Sequence, residues 1–178
     1  MPTPLACSVF IATSVDGFIA RENGSVDWLP TAPEDHGYDA FIATIDAHVI
    51  GRGTFDWVLG YGGPWIFTKP VVVLTSAAPP AQLPPDARNL EFMSGDPREV
   101  VARLGERGWK SLYVDGGVTI QRFLEAGLIT RMIITRVPVV LGRGRPLFGP
   151  TTRDIPLEHV ATKASASGLV TSEYRVAG

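Results

Sequence analysis

The sequence predicts one α/β domain on a mostly parallel sheet that finishes in antiparallel strands. Three observations carry this. Short β-forming apolar runs alternate with helical segments as far as residue 126, a pattern that calls for right-handed crossovers and parallel pairing. From Leu128 onward extended runs follow one another with no helix between them. The chain has 178 residues, the size of an ordinary single domain, with no repeat and no linker to divide it. Residues 1–178 are therefore read as one domain.

Each element follows from local composition. Leu5–Thr13 is apolar and rich in β-formers, then stops at Ser14-Val15-Asp16-Gly17, a buried strand entering a turn. Residues 18–33 hold Asn23-Gly24, Pro30 and Pro33, which predicts a long loop. Pro33-Glu34-Asp35 reads as a helix start with acids where the dipole favours them, and Phe41, Ile42 and Ile45 supply its stripe. Ala47–Gly51 is a short strand, and Arg52-Gly53-Thr54 opens a helix through Leu59. Pro70–Thr75 is a Val/Leu run typical of a strand covered on both faces.

A Pro-rich connection leads to a strand near Leu90–Met93. Asp96-Pro97 caps a helix with Val100, Val101 and Leu104 at helical spacing. Ser111–Val114 is a strand, Gly116-Gly117 a tight connection and Val118–Ala126 a helix. Ile129–Leu141, Leu157–Lys163 and Leu169–Val176 form the antiparallel finish, with Gly142-Arg143-Gly144 in a long hairpin connection.

Composition excludes several functions. Sixteen Lys and Arg against 18 Asp and Glu leave a net charge of −2, which argues against a general nucleic-acid or anionic-membrane binder. One cysteine and three histidines without metal spacing give no disulfide and no structural zinc site. Cys7 lies in an apolar run and reads as a small core residue, and His36, His48 and His159 as surface or packing residues. The Leu5–Ala12 run is too short to span a membrane, and no Lys or Arg precedes Arg21. A cytoplasmic protein is expected.

Small residues gather where strands run into helices. Gly51-Arg52-Gly53-Thr54, Thr75-Ser76 and Asp115-Gly116-Gly117-Val118-Thr119 all occupy such points. Open α/β sheets bind ligands outside the carboxyl ends of their strands, and a helix N-terminus there suits a phosphate. None of the three matches a P-loop or the G-x-G-x-x-G fingerprint. Each by itself is equally a simple turn. Trp57, Tyr61 and Trp65 cluster around Gly62-Gly63-Pro64, as an aromatic surface beside a pocket or as core or dimer packing.

Taken in order, five segments resemble the dihydrofolate reductase superfamily, and more closely its branch related to the reductase domain of bacterial riboflavin biosynthesis. They are Phe10–Ala20, Val49–Phe55, Val73–Ser76, Tyr113–Gly117 and Leu141–Phe148. The resemblance implies a dihydrofolate-reductase-like fold and an NADPH-dependent reductase. It places Ala12 and Thr13 at the nicotinamide amide, with Gly17 and Ile19 in a mobile loop over it. Gly51, Arg52, Gly53 and Thr54 would hold the adenosine side, Arg52 near the 2′-phosphate, assisted by Thr75 and Ser76. Gly116, Gly117, Val118 and Thr119 would cradle the pyrophosphate, with a cis bond between the two glycines.

The implied reaction is hydride transfer to a C=N or ribose-imine group of a small heterocycle, such as the aminopyrimidine riboside of riboflavin synthesis. Asp27, Asp35 and Trp28 are the candidates on the substrate side. Glu34, Asp35 and Asp39 equally suit a helix start, and Trp28 either walls the pocket or pins its loop. Dihydrofolate reductase proper, a non-catalytic NADP-binding module and a flavin-binding α/β protein are the alternatives. The partner expected besides a small molecule is a second copy of the chain, because the related branch commonly forms dimers.

Overall fold

The N-terminal strand β1 (Ala6–Ser14) lies inside an eight-stranded sheet rather than at its edge. The computed structural model describes residues 5–31 and 36–177. β1 is followed by a three-residue strand β2 (Phe18–Ala20) and a short helix α1 (Tyr38–Ala43). Next come β3 (Ala47–Gly51), α2 (Arg52–Gly60), β4 (Val71–Leu74), β5 (Leu90–Met93) and α3 (Pro97–Gly105). Then β6 (Ser111–Asp115) and α4 (Gly117–Glu125) lead to β7 (Ile129–Val137). β8 (Arg145–Pro146), β9 (Leu157–Ala164) and β10 (Val170–Val176) complete the chain.

The sheet order is β5-β4-β3-β6-β1-β7-β10-β9, and β2 pairs with β8 in a separate ribbon. All pairs from β5 to β7 are parallel, and β10 pairs antiparallel with both β7 and β9. The expected antiparallel finish therefore begins one strand late. Residues 129–137 reach β1 through α4, a crossover that demands parallel pairing. That strand also stops at Val137, because Pro138 cannot donate to a ladder.

Alternation along each strand sorts the core into two faces. Cys7, Val9, Val49, Val72, Leu112 and Val114 point to the side covered by α3 and α4, through Val100, Leu104, Ile120 and Phe123. The other face meets α1 through Phe41 and the connection after it through Ile45, beside Tyr113 and Ile133. It meets α2 through Phe55, beside Ile50, Val71 and Val73. Cys7 is buried, and burial pushes its thiol up to about 12, so it is inert packing.

His48 is buried against Phe67 and Tyr113, and burial, with Lys69 nearby, holds it down to about 4. The aromatic cluster divides between core and surface. Trp65 packs on Phe55 and Phe67, whereas Trp57 and Tyr61 stack on each other at the surface.

Two sequence expectations change here. The predicted loop after β1 contains β2, whose three residues are too few for a strand pattern to register. α1 begins at Tyr38, behind Gly37 at φ 80°. The predicted start at Pro33, with Glu34 and Asp35, lies outside the described residues.

A candidate dinucleotide site at the sheet switch point

Adjacent parallel strands β3 and β6 send the chain to opposite faces of the sheet, into α2 and α4 respectively. Such a divergence opens a crevice at the carboxyl ends of the strands, where α/β sheets bind ligands. Both helices begin at that crevice. Their N-cap residues are Gly51 and Gly116, and neither helix has a side chain capping it. α3, elsewhere on the sheet, is closed in the ordinary way by Asp96, whose carboxylate accepts from the Arg98 N–H. The backbone donors of Arg52, Gly53 and Thr54, and of Gly117, Val118 and Thr119, are thus left for an anion.

The two helix starts interlock. A Cβ on Gly51 would sit 2.5 Å from Thr119 Oγ1, and one on Gly116 would sit 2.6 Å from Thr54 Oγ1. Each threonine, third in its own helix, fills the space left by the glycine that begins the other. Gly116 has φ 97°, a left-handed conformation open to glycine. That angle alone makes the turn, and the Gly116–Gly117 peptide is trans, contrary to the cis bond expected.

The turn after β1 reaches the same place. Ile19 Cδ1 and the Pro146 carbonyl lie 3.0 and 3.3 Å from where a Cβ on Gly117 would stand. The segment makes hydrogen bonds to the connection after β7. Gly17, at φ 87°, offers its carbonyl to the Leu147 N–H, and Ser14 Oγ accepts from the Phe18 N–H. The Asp16 carboxylate accepts from the N–H groups of Leu141 and Gly142, and it is held below the usual carboxylate range by the Ser14 hydroxyl first and then by these bonds. Gly144 is required here too, because any side chain would strike the Ala20 carbonyl and Phe18. Asp16→Ala is expected to raise hydrogen exchange in residues 15–20 and 141–147 together. Protection unchanged in either segment would show that Asp16 is not the tie.

Arg52 leans toward the connection after β4, where Thr75 and Ser76 stand, and its Nη1 donates to the Ala78 carbonyl. Thr75 Oγ1 accepts from the Ala77 N–H and shapes that turn. Ala12 and Thr13 lie just before the last residue of β1, with Thr13 buried beside Arg136 in register.

The substrate-side candidates fare differently. Asp27 is exposed in its own loop, paired with Arg21 at 2.6 Å and bonded by Ser25 Oγ. Those bonds hold it below the usual range, so it is an ionised loop clasp at neutral pH. Trp28 is half-buried, and its Nε1–H has no acceptor among the described residues. Asp35 lies outside the described residues.

Asp115 belongs to one of the strand-to-helix segments that the sequence singles out, but the sequence alone assigns it no role. It ends β6 at the crevice, accepts from the Gly116 N–H at 2.8 Å, and is pushed up by burial to about 6. Its charge in turn helps raise Tyr38 and Tyr113, whose rings meet edge-on, with the Tyr113 hydroxyl donating to the Phe10 carbonyl. An acid between a β run and Gly-Gly was the available signal, which does not distinguish it from a turn residue.

Against known proteins, the sequence profile of the RibD C-terminal domain matches residues 64–171. The chain belongs to the RibD C-terminal domain family. A crystal structure of a Shewanella sp. PV-4 protein, provisionally assigned to riboflavin biosynthesis, is 36% identical. It covers 98% of this chain and 100% of that one, at a TM-score of 0.90. The riboflavin biosynthesis protein RibD of Mycobacterium tuberculosis is 30% identical over 152 residues, 79% of this chain. This family member spans only 42% of that relative's length. Dihydrofolate reductase from Enterococcus faecalis, solved with NADP(H), shares 17% identity over 97% of each chain at a TM-score of 0.65. The fold is thus dihydrofolate-reductase-like. Among the described residues no helix is long and apolar enough to cross a membrane, and no group of side chains forms a metal site.

Proposed function

We propose that the protein is an NADPH-dependent oxidoreductase that reduces a C=N or ribose-imine bond in a small heterocycle of the aminopyrimidine-riboside class. The observation that carries this is the pair of uncapped helix starts meeting across the switch point. Two positive helix ends side by side suit a pyrophosphate, and the missing Cβ atoms of Gly51, Gly116 and Gly117 leave the backbone approachable. Membership of the RibD C-terminal domain family supports the reductase chemistry and its link to riboflavin synthesis.

NADPH, when bound, supplies the hydride, so neither a metal nor a thiol is needed from the protein. The N–H groups opening α2 and α4 hold the phosphates, Arg52 takes the 2′-phosphate, and Ala12 and Thr13 seat the nicotinamide end. Ile19, braced through Asp16, covers the crevice and excludes water. Asp115 supplies the proton that the reduced nitrogen takes up, its raised affinity for a proton suiting that task near neutral pH.

Thermal-shift titration tests the reading. Millimolar NADPH or NADP⁺ is expected to raise the melting temperature, and no shift with either would remove it. Arg52→Ala is expected to weaken NADPH by about tenfold or more, the loss of a charged hydrogen bond, with NADH little affected. Equal losses for both would take Arg52 away from the 2′-phosphate. A second copy of the chain is the proposed partner. β9 is an edge strand exposed along all eight residues, without proline inside it. Sedimentation at the mass of a single chain would exclude it.

A further inference from the structure

Arg52 is held from two sides. Its Nε donates to Asp56 Oδ1 at 2.7 Å, one helical turn on, and its Nη1 donates to the Ala78 carbonyl at 3.1 Å. A guanidinium fixed in this way keeps its outer N–H groups, on Nη1 and Nη2, in one orientation. An arginine on a helix surface ordinarily gives up rotamer freedom when it grips a phosphate. This one has given it up beforehand.

We propose that Asp56 is a positioning residue that, with the Ala78 carbonyl, aims Arg52 at the 2′-phosphate and so sets the preference for NADPH over NADH. The inference rests on the dinucleotide reading above. Two effects of Asp56 compete. Its charge repels a phosphate, and its hydrogen bond orients the group that binds one. Both side chains are partly exposed, Asp56 by 52%, so solvent and salt weaken the charge effects, the ion-pair attraction and the phosphate repulsion alike, and leave the directional hydrogen bond. The bond at 2.7 Å is direct and keeps its geometry. Orientation therefore outweighs repulsion.

Two variants separate the effects. Asp56→Asn keeps an oxygen that accepts from Nε and removes the charge; Asp56→Ala removes both. Calorimetric titration of NADPH and of NADH gives an affinity ratio for each protein, with NADH as the internal control for folding. Asp56→Ala is expected to lower that ratio by about three- to tenfold, the cost of immobilising a freed arginine. Asp56→Asn should stay within about twofold of the wild-type ratio. An unchanged ratio in Asp56→Ala would overturn the proposal. So would tighter NADPH binding by both variants, which would make Asp56 a brake on phosphate affinity. Wild-type protein that binds neither dinucleotide would remove the NADPH reading itself, whereas the first two outcomes leave that reading standing.

Discussion

Asp115→Asn is expected to melt higher than the wild-type protein at pH 7 while losing about a hundredfold or more of its turnover. The Asp115 carboxyl is raised from 3.8 to about 6 because burial disfavours its ionised form. A group shifted in this direction favours the fold while protonated, below about pH 4. That contribution is lost as the pH rises through about 6, and above it the fold carries the cost of a buried charge. A shift of this size corresponds to at most about 3 kcal/mol. An amide has no such cost, and its oxygen still accepts from the Gly116 N–H. The gain in melting temperature, several degrees for a domain of this size, should appear at pH 7 and nearly vanish at pH 4. Equal gains at both would assign the effect to packing. Unchanged turnover would remove Asp115 from proton donation.

The second large effect concerns the interlocked helix starts. Gly51→Ala places a methyl 2.5 Å from Thr119 Oγ1, and a β-branched side chain has little room to yield. The expected cost is about 1–3 kcal/mol, as for overpacking a filled site, together with a clear loss of NADPH affinity. Thr119→Ala removes the atom that is struck. In the double variant Gly51→Ala/Thr119→Ala most of the lost stability should return, and denaturant melts on the four proteins measure the coupling. NADPH affinity should stay low, because the added Cβ still stands at the crevice. Additive stability effects would show that the two residues do not meet.

Most of the sheet was legible because its signals are local. The Val/Leu run of β4, the Asp96-Pro97 cap and the glycines after β3 and β6 each declare themselves within a few residues. The candidate cofactor residues come from five segments taken together in order, since a glycine beside a helix start is by itself equally a simple turn. What escaped depended on distance in sequence. β2 and β8 are strands only because residues 18–20 and 145–146 meet, and neither has a pattern of its own. The direction of β7 depends on α4 crossing over β1. Asp115 resembles any turn aspartate until Tyr38 and Tyr113 are folded around it. Asp27 is the converse, a conspicuous acid that Arg21 and Ser25 engage locally.

The central position of β1 has a consequence for how the chain reaches its fold. Strand β1 is flanked by β6 and β7, whose pairing begins at residues 111 and 129. During synthesis this apolar strand leaves the ribosome long before either neighbour exists. Until then Cys7 and Val9, buried in the finished protein, have no partners. Closure of the sheet must wait for loops of more than a hundred residues, a high contact order that slows folding and leaves an aggregation-prone edge exposed meanwhile. The candidate crevice, built from the ends of β1, β3 and β6, is completed at the same late moment. A nascent chain halted before β6 has no such crevice, so on the proposed reading NADPH is expected to stabilise only the chain that has already closed.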